Sequence, residues 1–152
     1  ELRFEPEKGF ETLIEYPDKK GGALVSGAID IVRHDDPPRV TLIDFKSGDP
    51  ASDNHKKLDA EEMKMQIAIY ALAAKKELEY EPEAGLVRYL GGERTEMREL
   101  HVPLNKHHLE AAQVKVSETI AEIRARKFKA GPHTDKPKCP HCDFFGICGQ
   151  KC

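Results

Sequence analysis

The stretch from residue 23 to residue 46 constrains this chain more than any other. It reads ALVSGAIDIVR, then a polar turn Asp35-Asp36-Pro37-Pro38, then RVTLIDFK. Apolar and β-branched residues fill both runs, and two successive prolines cannot continue a ladder. The segment is therefore predicted as a hairpin with strands over 23–33 and 39–46. Side chains alternate between faces along a strand. Val40, Leu42, Asp44 and Lys46 then share one face, and Thr41, Ile43 and Phe45 the other. Asp30 lies between Ile29 and Ile31, where a charge is costly unless it is paired or bound to a cation. A hairpin closing about Asp36-Pro37 brings Asp30 opposite Ile43 or Asp44. Two carboxylates and one amine converge on a small patch.

The rest of the chain supplies partners for that hairpin. Residues 11–16 read as a strand, and Pro17 to Gly22 as a turn. A helix is predicted over 59–79, with Met63, Ile67, Tyr70, Ala71, Ala74 and Leu78 as its apolar stripe. Residues 85–91 and 96–102 read as a second hairpin around Gly91-Gly92. A second helix spans about 106–127, with Asn105 as N-cap and Leu104 stapled onto Leu109. Leu109, Ala112, Val116, Ile120 and Ile123 form its expected buried stripe. Strands, helix, strands, helix over 152 residues predict one α/β domain, a mixed sheet flanked by helices. The expected division is a core over 1–130 and a cysteine-rich, metal-binding tail over 131–152. No apolar run spans a membrane, and no stretch reads as a signal peptide.

The carboxylate–lysine patch suits phosphodiester hydrolysis. Magnesium and manganese take oxygen ligands, and such an ion held by Asp30 and Asp44 lowers the pKa of water and stabilises charge on phosphate oxygens. Lys46 is placed to orient or deprotonate that water, or to neutralise charge on the phosphate. The competing reading is a structural Asp–Lys ion pair. Gln66 and Tyr70 are four apart in the helix and share a face, so both can hydrogen-bond to phosphate or carboxylate. The competing reading there is a core tyrosine with a solvated glutamine beside it.

Taken in order, these residues resemble the PD-(D/E)XK nuclease superfamily, in its RecB-like branch. Gly27-Ala28-Ile29-Asp30 corresponds to the Gly-x-x-Asp strand, Asp44-Phe45-Lys46 to Asp-x-Lys, and Gln66-Ile67-Ala68-Ile69-Tyr70 to Gln-x-x-x-Tyr. The string CPHCDFFGIC is similar to the family's terminal cysteine segment. The resemblance implies a restriction-endonuclease-like fold and DNA cleavage. It implies that Asp30, Asp44 and the Phe45 carbonyl bind the catalytic Mg2+ or Mn2+. Lys46 is implied as the water-activating residue, with Gln66 and Tyr70 shaping the site. It also implies a helicase domain in the same parent chain or complex, as in UvrD-like and AddAB-type helicases, or kinship with CRISPR-associated RecB-like exonucleases. The family carries an acidic residue or histidine on a helix before the first strand. Nothing precedes Glu1, which is not a methionine, so a truncated or processed piece of a larger protein is expected.

Cys139, Cys142, Cys148 and Cys152 are spaced C-x2-C-x5-C-x3-C. Four thiolates this close can hold an iron–sulfur cluster or a tetrahedral Zn2+. The first three match the family's cluster ligands; the fourth ligand is Cys152, a cysteine upstream of Glu1, or, in a zinc site, His141. With no secretion signal, these cysteines favour a reducing, cytoplasmic location. Lys127, Lys129, Lys136 and Lys138 are placed to follow a DNA strand or to form a solvated basic face. The formal net charge of −3 argues against a free-standing electrostatic DNA binder. The sequence thus supports a DNA nuclease acting on single-stranded ends. A non-catalytic DNA-binding or scaffold module of a helicase complex is the alternative. A protein-interaction domain resting on the cysteine tail is the third reading, and it requires Asp30 and Asp44 to stay apart.

Overall fold

A computed structural model describes residues 2–47, 60–91 and 99–127. The elements run β1 (Arg3–Glu15), β2 (Gly22–Asp36), β3 (Arg39–Lys46), α1 (Ala60–Glu77), β4 (Glu81–Tyr89), β5 (Glu99–Pro103) and α2 (Lys106–Arg124). They build one five-stranded sheet in the order β1-β2-β3-β4-β5. β3 and β4 are parallel and joined by α1; the other neighbouring pairs are antiparallel. Among the described residues this is a mixed α/β sheet with two helices, as expected. The Pro37-Pro38 turn joins β2 to β3, and Pro37-Pro38 is a cis bond. Among the described residues no helix is long and apolar enough to cross a membrane.

β1 begins at Arg3, eight residues before the expected strand over 11–16. Pro6 and Gly9 mask it in the sequence. Both are tolerated because β1 is an edge strand, where a missing N–H need not break a ladder. β4 likewise starts at Glu81, ahead of the expected residue 85, with Pro82 inside it.

α1 lies across one face of the sheet. Met63, Ile67, Tyr70, Ala71 and Ala74 are buried there, with Ile29, Val32, Val40, Leu42, Val87 and Val102 beneath them. Acidic Glu61 and Glu62 in the first turn and basic Lys75 and Lys76 in the last complement the helix dipole. The helix stops where Glu79 takes a left-handed φ of 56° and Tyr80 N–H donates back to the Ala74 carbonyl at 3.1 Å. Close packing against the sheet depends on Gly85. A methyl group there would overlap Ile67 Cγ2 and sit 3.3 Å from Val102 Cβ.

α2 starts as expected, with Asn105 Oδ1 accepting from His108 N–H at 3.0 Å. It packs against α1 and reaches β1, where the Ser117 hydroxyl donates to the Glu15 carbonyl at 2.8 Å. Its expected apolar stripe is only partly covered. Ala112 is buried and Leu109 half-buried, but Ile123 is 54% exposed. In its last turns Ile120 and Ala121 are half-buried and the Arg124 guanidinium lies over the Tyr16 ring at 4.6 Å, while Ile123 faces outward.

Candidate active site

β3 carries the charged pair to the place where the sheet opens. Its pairing with β4 continues to Lys46 beside Tyr89. Its pairing with β2 ends at Ile31 beside Ile43. Asp30 and Asp44 occupy the next position, just beyond that last pair. There Phe45 N–H donates to Asp30 Oδ2 at 2.8 Å. A side chain supplies the acceptor that the departing backbone of β2 no longer offers. In an extended residue the N–H and C=O point to the same edge. The Phe45 carbonyl is therefore turned toward the Asp30 side as well.

Asp44 is 1% exposed. Lys46 Nζ stands 2.7 Å from its Oδ2, so the two charges are paired. Oδ2 is fully buried, and that ammonium is the one partner it has among the described residues. Burial pushes the Asp44 carboxyl above the ordinary carboxylate range. The Lys46 ammonium opposes that rise and the Asp30 carboxylate adds to it. Such an oxygen fits a hard cation. The donors at hand are all oxygen (Asp30, Asp44 and the Phe45 carbonyl), the set that suits Mg2+ or Mn2+. Among the described residues no three His, Cys, Asp or Glu side chains converge on one point. Two carboxylates are enough for Mg2+, which keeps several waters.

The second wall comes from α1. Gln66 Nε2 donates to the Tyr70 hydroxyl oxygen at 2.7 Å. Because that oxygen accepts, the phenolic proton is left to be given to another acceptor. Burial pushes the Tyr70 phenol up; the Gln66 bond opposes this, Asp44 and Asp30 add to it, and Lys46 opposes it. The phenol thus stays protonated and faces the same three charged groups. Its ring meets Phe10 edge-on, with centroids 5.9 Å apart. Phe10 in turn lies over Gly27, where an added Cβ would come within 3.0 Å of the ring. The glycine of the Gly-x-x-Asp run leaves the space in which Phe10 braces Tyr70.

A profile of the PD-(D/E)XK nuclease superfamily matches residues 1–149. The chain belongs to this superfamily. Nucleases of the PD-(D/E)XK superfamily generally use divalent metals such as Mg2+. The crystal structure of SSO0001 shares the fold, with a TM-score of 0.63 and 20% identity over 96% of this chain and 60% of that one. A candidate exonuclease from Eubacterium rectale aligns with a TM-score of 0.49 and 13% identity, over 90% of this chain and 51% of that one. The chain thus spans about 60% of the length of SSO0001. No curated protein matches it by sequence.

Within this PD-(D/E)XK fold, Asp30, Asp44, Phe45, Lys46, Gln66 and Tyr70 come together on one side of the sheet opening. The reading that required Asp30 and Asp44 to stay apart fails on this geometry. Cys139, Cys142, Cys148 and Cys152, with His141, lie outside the described residues, as do Lys129, Lys136 and Lys138. Sequence reasoning missed Tyr89. It ends β4 directly beside Lys46, is 5% exposed, and shares the core with Tyr70. Its one visible signal was an aromatic residue closing a strand just before Gly91-Gly92. Nothing local says that this strand pairs in parallel with the Asp-Phe-Lys strand.

Proposed function

We propose that this chain is a divalent-metal-dependent DNA nuclease with Asp30, Asp44, Lys46, Gln66 and Tyr70 as its catalytic set. One observation carries the proposal: a buried, raised-pKa carboxylate oxygen on Asp44, paired with Lys46, at the point where β2 and β3 part beside Asp30. A bound Mg2+ or Mn2+ supplies a Lewis acid for the phosphate and a lowered pKa for water. Asp30, Asp44 and the Phe45 carbonyl would hold that ion. Lys46, 2.7 Å from Asp44, would orient the water and offset charge on the phosphate. The Tyr70 hydroxyl, fixed by Gln66, donates to a phosphate oxygen or steadies a carboxylate. Ion pairing alone would leave Asp44–Lys46 a structural bridge. The second wall formed by Gln66 and Tyr70 favours chemistry over that.

Exonuclease action on single-stranded ends, as part of a helicase or of a repair or recombination assembly, extends this reading on the family resemblance. An iron–sulfur cluster, or alternatively Zn2+, held by Cys139, Cys142, Cys148 and Cys152 would serve to fix the C-terminal segment. The test compares the full-length protein with Asp44→Ala and Lys46→Ala, using linear and circular single-stranded DNA with Mg2+ or Mn2+. Cleavage of linear substrate that both substitutions abolish is expected. Undiminished cleavage by both variants would refute the assignment. Cutting of circular DNA would replace the exonuclease mode with an endonuclease one.

A further inference from the structure

Tyr89 closes β4 beside Lys46, and the proposed catalytic set does not use it. Its Cα is paired with that of Lys46 in the parallel register of β3 and β4. Paired residues of neighbouring strands project on the same face, within side-chain reach of each other. That face is the one carrying Asp44 and packed by α1, because Val87, two residues earlier on β4, is fully buried beside Asp44. The Tyr89 ring belongs to the core under α1 and is held by its packing.

Its hydroxyl is different. A buried tyrosine hydroxyl normally finds a hydrogen-bond partner, and one without a partner calls for an explanation. Two other tyrosine hydroxyls packed around this core are engaged: Tyr70, at the site, accepts from Gln66 at 2.7 Å, and Tyr80, at the opposite end of β4, donates to Glu5 at 3.0 Å. Tyr89 makes no such bond among the described residues, and its oxygen is not among the sealed polar atoms. The ring is fixed by packing, while the hydroxyl oxygen keeps some exposure and has no described partner. Electrostatics agree with that placement. Burial raises the Tyr89 phenol, Lys46 lowers it and Asp44 raises it, so both charged groups lie close to it and it remains a proton donor.

We propose that Tyr89 contacts the substrate in this site, its hydroxyl donating to a non-bridging phosphate oxygen beside Lys46; this rests on the nuclease reading above. Lys46 and Tyr89 then grip the phosphate from β3 and β4, while Tyr70 approaches it from the helix side. Packing alone would need the ring and not the oxygen.

Tyr89→Phe separates the two, since it keeps the ring and removes only the oxygen. The measurement is steady-state cleavage of a fluorescein-labelled oligothymidylate by the full-length protein with Mn2+, beside thermal unfolding of the same samples. Tyr89→Phe should lose roughly tenfold to a hundredfold in kcat/KM, the usual worth of one hydrogen bond to a charged group. Its melting temperature should match the wild type, because no protein partner is lost. Tyr80→Phe, at the far end of the sheet, should leave the kinetics unchanged. An active wild type with an equally active Tyr89→Phe overturns this inference alone. A wild type that cleaves no better than Asp44→Ala defeats the nuclease reading and this inference together. A drop in kcat/KM matched by a large drop in melting temperature would also overturn it, since the oxygen would then be structural.

Discussion

Gly85→Ala tests how closely α1 must approach the sheet for the site to form. The new methyl would overlap Ile67 Cγ2, and Val102 blocks escape, with its Cβ at 3.3 Å and its carbonyl oxygen at 3.4 Å. Ile67 is fully buried and its Cγ2 is branched at Cβ, so rotamer change offers little relief. The helix must retreat by about 1 Å to restore an ordinary carbon–carbon contact. Overpacking of this kind costs about 1–3 kcal/mol. Replacing glycine within a strand recovers about 0.5–1 kcal/mol of chain entropy. From the middle of each range a net loss of about 1 kcal/mol follows, or roughly 2–4 °C in Tm for a domain of this size. The chain has no tryptophan, so far-ultraviolet circular dichroism in urea is the suitable probe. Gln66 flanks Ile67 and Tyr70 lies one turn further on, so cleavage should fall along with stability. The decisive arm is a double-mutant cycle with Ile67→Ala, which removes the obstructing methyl. In that background Gly85→Ala should be neutral or stabilising, giving a coupling of at least about 1 kcal/mol. Strict additivity of the two substitutions would refute the steric argument.

Two further outcomes follow from the charges. Asp44 binds its proton more tightly when folded than when unfolded, so its contribution is fully present below the ordinary carboxylate pKa and is lost as pH rises through the raised one. At neutral pH without divalent metal, Asp44→Asn should therefore melt above the wild type, and Mg2+ or Mn2+ should raise the Tm of the wild type only; a destabilised Asn variant would contradict this. Glu5 behaves oppositely: burial raises it, but hydrogen bonds from Lys8 and Tyr80, with His34 nearby, outweigh that and lower its pKa. Its stabilising effect should be present above the ordinary pKa of 4.5 and fade as pH falls through the lowered one. Glu5→Gln should cost roughly 1 kcal/mol at neutral pH and flatten that acid limb of the unfolding curve; an unchanged limb would show the cluster to be inert.

The parts of this protein legible in its sequence are those governed by short-range periodicity. Alternation along RVTLIDFK put Asp44 and Lys46 on one face, and the Pro37-Pro38 turn set the register that brings Asp30 beside them. The spacing of Gln66 and Tyr70 located the helical wall. What escaped was set by distant partners. Pro6, Gly9 and Pro82 hide strand extensions that only the surrounding sheet order allows. Ile123 carries the right period for burial, yet the fold leaves it exposed. Tyr89 joins the site through parallel pairing of β3 with β4, a contact across more than forty residues that no local pattern announces. The packing reasons for Gly27 and Gly85 also depend on neighbours far away in the chain, Phe10 and Ile67.

The bond from Phe45 N–H to Asp30 has a consequence for any attempt to dissect this site by mutation. Asp30 serves as a rung of the sheet as well as a source of negative charge. Removing its side chain leaves a main-chain donor stranded and loosens the β2-facing edge of β3, although β4 still holds Lys46 through the Leu90 N–H. Loss of cleavage in Asp30→Ala would then report a loosened scaffold and a missing ligand in one signal. Asp30→Asn keeps a carbonyl oxygen for the rung and gives up only the charge. The difference between these two variants, rather than either alone, measures how much of Asp30 belongs to the architecture and how much to the chemistry.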